Sequence, residues 1–244
     1  MLDMTKVPEE LRPQARVARV CLEKKGLSAQ KAKVALVLDI SGSMDDRYRS
    51  GNVQELVERV LALGVNFDDD GAIDVFLFGV NAHNVGELRA LDFKGCVDKV
   101  LKQYRLEPGT NYATVVEMVC KHYEGDFKKE GGGGLFSGPA VYSADMPVYV
   151  MFVTDGDAGD HKETEKALKL ASHQPIFWQF MGVGSSTGFH FLEKLDNLPG
   201  RFIDNANFFP CPQPHAVDQA KLYDMMMGEF PAWLKLAAGK KMLP

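Results

Sequence analysis

The residues best placed to do chemistry together are Asp39, Ser41 and Ser43, in the run Asp39-Ile40-Ser41-Gly42-Ser43. This run begins where an apolar stretch, Lys33–Asp39 (KVALVLD), comes to its end. One carboxylate and two hydroxyls therefore share a single loop. In extended backbone Asp39 and Ser41 project to the same side, and Gly42 permits the tight turn that brings Ser43 back towards them. Hard oxygen donors of this kind suit Mg2+, Mn2+ or Ca2+, whereas Zn2+ calls for His or Cys. Two further triplets can join them. Thr154-Asp155-Gly156 closes the apolar run Val148–Thr154 (VYVMFVT), so Asp155 offers a second carboxylate. Gly109-Thr110-Asn111 stands just before a helical pattern, so Thr110 offers a hydroxyl at a helix N-terminus.

These loops can meet only if the elements behind them are suitably arranged. Short, nearly continuous apolar runs at Lys33–Asp39, Ala72–Gly79, Val148–Thr154 and Pro175–Val183, with a weaker one at Arg201–Asp204, read as strands covered on both faces. Between them, Val53–Leu63, Phe93–Tyr104, Tyr112–Tyr123, Lys162–Ser172 and Ala216–Met227 carry helical periodicity, the first stopped by Gly64. Alternating strands and helices predict an α/β fold with a mostly parallel central sheet and helices on both faces. Right-handed crossovers then bring the C-terminal ends of the strands, and the three loops with them, to one edge. Residues 1–31 are expected as an N-terminal helical extension and 231–244 as a C-terminal tail. The domain itself is expected over 32–230, interrupted at 125–146 by a flexible excursion rich in glycine (Gly131–Gly134, then Gly138).

Taken in order, Asp39-Ile40-Ser41-Gly42-Ser43, Gly109-Thr110-Asn111 and Thr154-Asp155-Gly156 resemble the metal-ion-dependent adhesion site of the von Willebrand factor A domain, a Rossmann-like fold. The resemblance covers about residues 32–230. The runs CLEKKG (Cys21–Gly26), VALVLDISGSM and FDDDGAIDVFLFG (Phe67–Gly79) are similar to the cytoplasmic A domains of bacterial tellurium-resistance and stress-response proteins. The resemblance implies that Ser41, Ser43 and Thr110 bind the ion directly or nearly so, and Asp39 and Asp155 directly or through water. It also implies an interaction module whose Mg2+ (or Mn2+ or Ca2+) accepts an Asp or Glu carboxylate from another protein. Mg2+ takes about six oxygens at roughly 2.0–2.1 Å, and neutral hydroxyl ligands leave it enough charge to attract such a group. Met44, Asp45, Asp46, Arg47 and Tyr48 follow the first loop, and Asp157 and His161 follow the last. Of these, with Asn111, the residues Met44, Tyr48, Asn111 and Asp157 are expected to form the partner-facing rim.

Enzymatic readings fare less well. A phosphohydrolase of the haloacid-dehalogenase kind would use Asp39 as nucleophile, but the acid it needs two residues on is Ser41 here. Serine hydrolysis lacks a Gly-x-Ser-x-Gly elbow, and of the six histidines only His161 falls on the right edge. Gly182-Val183-Gly184 with Gly188 has the setting of a dinucleotide fingerprint but no clear ribose-binding acid, so a tight strand-to-helix turn accounts for it. Asp68-Asp69-Asp70 falls at the opposite edge and reads as a solvated turn.

Composition bounds the rest. The 244 residues suffice for one core without staples, and 45% hydrophobic with 25% charged residues argues against disorder. A formal charge of −5 excludes the broad basic face of a nucleic-acid binder. No run approaches the roughly 18–20 apolar residues of a membrane span. The N-terminal stretch is charged, not signal-like, and Cys21, Cys96, Cys120 and Cys211 form no CxxC pair. Reduced thiols and a cytoplasmic setting are the expectation.

Overall fold

The computed structural model describes residues 7–67, 71–130, 139–184 and 189–244. In chain order the elements are α1 (Arg12–Lys24), β1 (Lys33–Asp39), α2 (Asp45–Arg49), α3 (Asn52–Phe67), β2 (Ala72–Phe78), β3 (Ala82–Arg89), α4 (Cys96–Gln103) and α5 (Ala113–Glu124). They continue as β4 (Lys128–Glu130), β5 (Val141–Ser143), β6 (Val148–Thr154), α6 (His161–Ala171), β7 (Ile176–Gly182), α7 (His190–Asp196), β8 (Ala206–Pro210), α8 (Gln219–Met226) and α9 (Phe230–Gly239).

Six strands form one sheet in the order β3-β2-β1-β6-β7-β8, with β3 antiparallel to β2 and the other neighbours parallel. Residues of β1 alternate between two cores because side chains of a strand alternate between faces. Val34, Leu36 and Leu38 pack with α1, α3, α8 and α9, while Ala35 and Val37 pack with α5, α6 and α7. This two-sided burial is why β1, β6 and β7 read as unbroken apolar runs.

From β1 the chain winds outward to β2 and β3, then returns and winds the other way through β6, β7 and β8. The order therefore reverses between β1 and β6. At such a point the two crossovers leave on opposite sides, and a crevice opens at the C-terminal ends of the strands. The β1/β6 register runs to Leu38 opposite Val153, which sets Asp39 beside Thr154 in that crevice.

Several expectations are corrected. The last strand is not Arg201–Asp204, which is a bend, but Ala206–Pro210. Strand β3 has no strong sequence signature because this edge strand is only half-buried, with Gly86 in the left-handed region (φ 94°) beside a register shift at Val75/Phe76. Gly64 does not stop its helix: α3 continues to Phe67, and a Cβ at 64 would come within 2.5 Å of Ile73 Cγ2, so the glycine serves close helix–sheet packing. The excursion at 125–146 starts and ends as a paired ladder, Lys128–Glu130 against Val141–Ser143, tied down by Tyr142 N donating to His173 O at 2.8 Å. Its glycine run at 131–134, together with Ser137 and Gly138, lies outside the described residues, as do Asp68–Asp70 and Gly188. Residues 231–244, expected as a tail, form most of α9, whose Phe230, Trp233 and Ala237 are buried against α3 and the sheet. Cys21, Cys96, Cys120 and Cys211 are all free thiols. Among the described residues no helix is long and apolar enough to cross a membrane.

Candidate functional site

At the crevice, the end of β1 turns through a short 3-10 segment (Gly42–Met44) into α2. This turn folds the two serines over one another, so Ser41 Oγ and Ser43 Oγ lie 3.0 Å apart. Ser43 Oγ donates to Asp155 Oδ1 at 2.7 Å, which joins the first loop to the loop after β6. Asp39 lies just beneath. Its Oδ1 accepts from Ser41 N and its Oδ2 from Thr154 Oγ1, both at 2.6 Å, and the residue is wholly buried. Burial without a cationic partner pushes the Asp39 carboxyl up to about 6, despite the opposing hydrogen bonds from Ser41 and Thr154; the nearby Asp155 charge adds to the rise. With both oxygens engaged and no exposure, Asp39 is not presented as a nucleophile.

The third loop is held by backbone. Glu107 N donates to Ile40 O (2.7 Å) and Gly42 N donates to Glu107 O (2.9 Å), so residues 107–111 run alongside the serine loop. Asn111 N donates to Gly79 O (2.8 Å), and Gly159 N donates to Thr110 O (2.7 Å). Thr110, half-buried, is thus pinned between the loops that follow β2 and β6. The Glu107 carboxylate secures the same segment, accepting from Asn81 N (2.7 Å) and pairing with His83 Nε2 (2.7 Å). These bonds outweigh its partial burial and hold its carboxyl below the usual value.

The structure corrects two members of the expected rim. Met44 is wholly buried and Tyr48 nearly so, because the 3-10 turn rotates the start of α2 inward. Tyr48 instead supports the loop from below, its hydroxyl donating to Asp39 O at 2.7 Å. Asn111 is half-buried, with Nδ2 donating to Val80 O at 3.2 Å. Asp157 is exposed and bonded to His161 Nε2 at 2.7 Å, while the His161 ring stacks on Phe191 at 3.8 Å. Gly182 and Gly184 have a packing explanation: a Cβ at 182 would press on the Phe189 ring, and one at 184 would overlap the Arg47 guanidinium.

Two further residues that brace these loops carry no motif of their own in the sequence. Asp160 accepts from Tyr112 N and Ala113 N, each at 2.9 Å, and so caps α5 from another loop. The available signal was a helix starting at Tyr112–Ala113 with no capping side chain of its own. Tyr112 is wholly buried, and its hydroxyl reaches Gly156 O (2.6 Å) and Thr154 Oγ1 (3.1 Å), bracing the Asp155 loop from inside.

The donors at this edge are hydroxyls and carboxylates, a set that fits a hard divalent cation. Two carboxylates with almost no exposed side chain, of which Asp39 has no cationic partner among the described residues, are what such an ion would neutralise. Among the described residues no group of three or more His, Cys, Asp or Glu could hold a metal ion, so a zinc-type cluster has no ligands there.

A mostly parallel six-stranded sheet with helices on both faces is the architecture of an A-type α/β domain. The chain belongs to the TerF-like von Willebrand factor A family, the vWA domain found in the TerF C terminus, which matches residues 31–132 and 137–243. An uncharacterised protein of Bacillus subtilis, YcbR, is 37% identical over 230 residues, spanning 93% of this chain and 87% of that protein. Among solved structures, the SpRpn10 VWA domain superposes with a TM-score of 0.56 at 8% identity, covering 80% of this chain and 94% of that one. The manganese-loaded TRAP protein of Plasmodium vivax gives 0.51 at 15% identity, covering 80% and 73%. At such identities the superpositions speak for the fold alone.

Proposed function

We propose that this protein is a metal-ion-dependent interaction module, in which a divalent cation held at the β1/β6 crevice receives a carboxylate from a partner protein. The observation that carries the reading is the hydrogen-bonded chain Ser41–Ser43–Asp155 lying over a buried Asp39 that has no counter-charge among the described residues. In this reading Ser41, Ser43 and Thr110 supply neutral oxygens, and Asp39 and Asp155 hold the ion directly or through water. Mg2+ is the expected occupant, with Mn2+ or Ca2+ able to replace it; the manganese in the Plasmodium vivax TRAP protein supports a divalent ion in this fold. When bound, the ion supplies a coordination position open to an incoming Asp or Glu carboxylate.

The chain's own residues do the rest. Thr154, Tyr112 and Tyr48 keep Asp39 and the Asp155 loop in place, Asp160 fixes the start of α5 behind Thr110, and Asp157 offers an exposed acid at the rim. The module is read as non-enzymatic, since Asp39 is shielded and, among the described residues, neither Ser41 nor Ser43 bonds to a histidine, and as acting in the cytoplasm. The TerF-like membership supports a place in a bacterial tellurium-resistance or stress-response assembly. The test is a pull-down from the native organism in Mg2+, in EDTA, and with the Asp39→Ala variant. A partner retained only by the wild type in Mg2+ supports the reading; equal retention in all three arms refutes it.

A further inference from the structure

We propose that Arg47 sets how tightly this site holds its divalent cation, its guanidinium sharing the Asp155 carboxylate with the ion. This inference rests on the metal-site reading above and concerns a residue that the site's ligand set does not include.

Arg47 stands four residues after Ser43, one helical turn along α2, so its side chain can fold back over the serine loop. There Nη1 lies 2.7 Å from Asp155 Oδ2 and 3.1 Å from Ser43 O. The pair is not an ordinary surface contact. The Asp155 side chain is only 5% exposed and that of Arg47 26%. The guanidinium is also seated. A Cβ at position 184 would overlap Nη2 and come within 2.8 Å of Cζ, so the space it fills exists because that residue is glycine, held at φ 88°. Arginine thus occupies a fitted niche beside the one carboxylate that Ser43 also touches.

The charge arithmetic gives the consequence. Asp39 and Asp155 carry two negative charges when ionised, and Arg47 returns one positive charge. A divalent cation held by Ser43 and Asp155 would share that carboxylate with the fixed positive charge of Arg47, and like charges drawn to one carboxylate repel. Arg47 therefore weakens the site relative to its own ligand set, while in the absence of an ion it stands in as the counter-charge of Asp155. If Arg47 merely positioned Asp155, its removal would have the opposite effect and loosen the ion. The sign of the change separates the two roles.

The experiment measures Mg2+ and Mn2+ affinity of the full chain by calorimetry, with thermal melting in EDTA and in Mg2+ alongside, for wild type, Arg47→Gln, Arg47→Met and Arg47→Lys. The Gln and Met variants are expected to bind cation roughly tenfold or more tightly. They should melt below wild type in EDTA and gain more from Mg2+, with Lys close to wild type. Met keeps the stem that lines the cavity of about 600 Å3 beside the site, so it must move the same way as Gln. Affinity unchanged or weakened in a folded Gln or Met variant overturns the inference and leaves the metal site standing. No cation binding by wild type or any variant overturns the metal site itself, and this inference with it.

Discussion

Replacing Asp39 by Asn should stabilise the cation-free protein at neutral pH while abolishing its response to Mg2+. The carboxyl is wholly buried, and desolvation lifts it from 3.8 to about 6. Because the folded value is the higher, the folded state binds the extra proton between about pH 4 and pH 6, and stability falls as pH rises through that window. Above it the ionised group costs about 3 kcal/mol, at 1.36 kcal/mol for each tenfold change in proton affinity. Asparagine removes that charge. Its amide oxygen keeps one of the two hydrogen bonds, from Ser41 N or Thr154 Oγ1, and its Nδ2 then faces the other donor. That mismatch costs about 1–2 kcal/mol, partly relieved because the Thr154 hydroxyl can turn to accept. A net gain of about 1–2 kcal/mol remains, a rise in Tm of about 2–6 °C for a chain of this length. Far-UV circular dichroism melts near pH 7.5, in EDTA and in Mg2+, measure both effects. Wild type should also lose stability from about pH 4 to pH 6 in EDTA and show a flatter profile in Mg2+, where the ion supplies the missing counter-charge. An Asp39→Asn protein that melts below wild type in EDTA, or that still gains stability from Mg2+, would refute the argument.

Asp160→Ala removes the cap on Tyr112 N and Ala113 N and should cost about 1–2 kcal/mol in urea unfolding with an unchanged m-value; it should also weaken Mg2+ binding, because Thr110 sits on that helix start. Arg59→Met should be the more damaging change at a distance from the site. Arg59 is buried, pairs with Glu55 and donates to Pro214 O (3.0 Å) and Val217 O (3.1 Å), so those carbonyls lose their partner at a cost of about 2–4 kcal/mol, read as a Tm lower by roughly 5–12 °C. A melt within a degree or so of wild type would show that the loop before α8 does not depend on it.

Much of this protein was legible along the chain. The runs KVALVLD and VYVMFVT, apolar on both alternating faces, read as interior strands, and the Asp-x-Ser-x-Ser, Gly-Thr-Asn and Thr-Asp-Gly loops stand at element boundaries. Two-faced burial leaves its mark on every residue of a strand, so composition alone reveals it. An edge strand leaves a fainter mark: β3 alternates only weakly and carries a glycine, and its pairing with β2 rather than its own residues makes it a strand. Gly64 shows the same dependence, since what it serves is the proximity of Ile73 on another element.

Which side chains stand together was decided by the sheet order and by the turn after β1. Parallel register brings Asp39 beside Thr154 across more than a hundred residues, and the 3-10 turn swings Met44 and Tyr48 inward while laying Arg47 over Asp155. Asp160 caps a helix to which it is not adjacent in sequence. A local pattern records how each residue meets its own backbone and the solvent. Partnerships between distant residues arise only when the chain closes on itself, because hydrogen bonds and ion pairs act over a few ångströms of space, irrespective of separation along the chain.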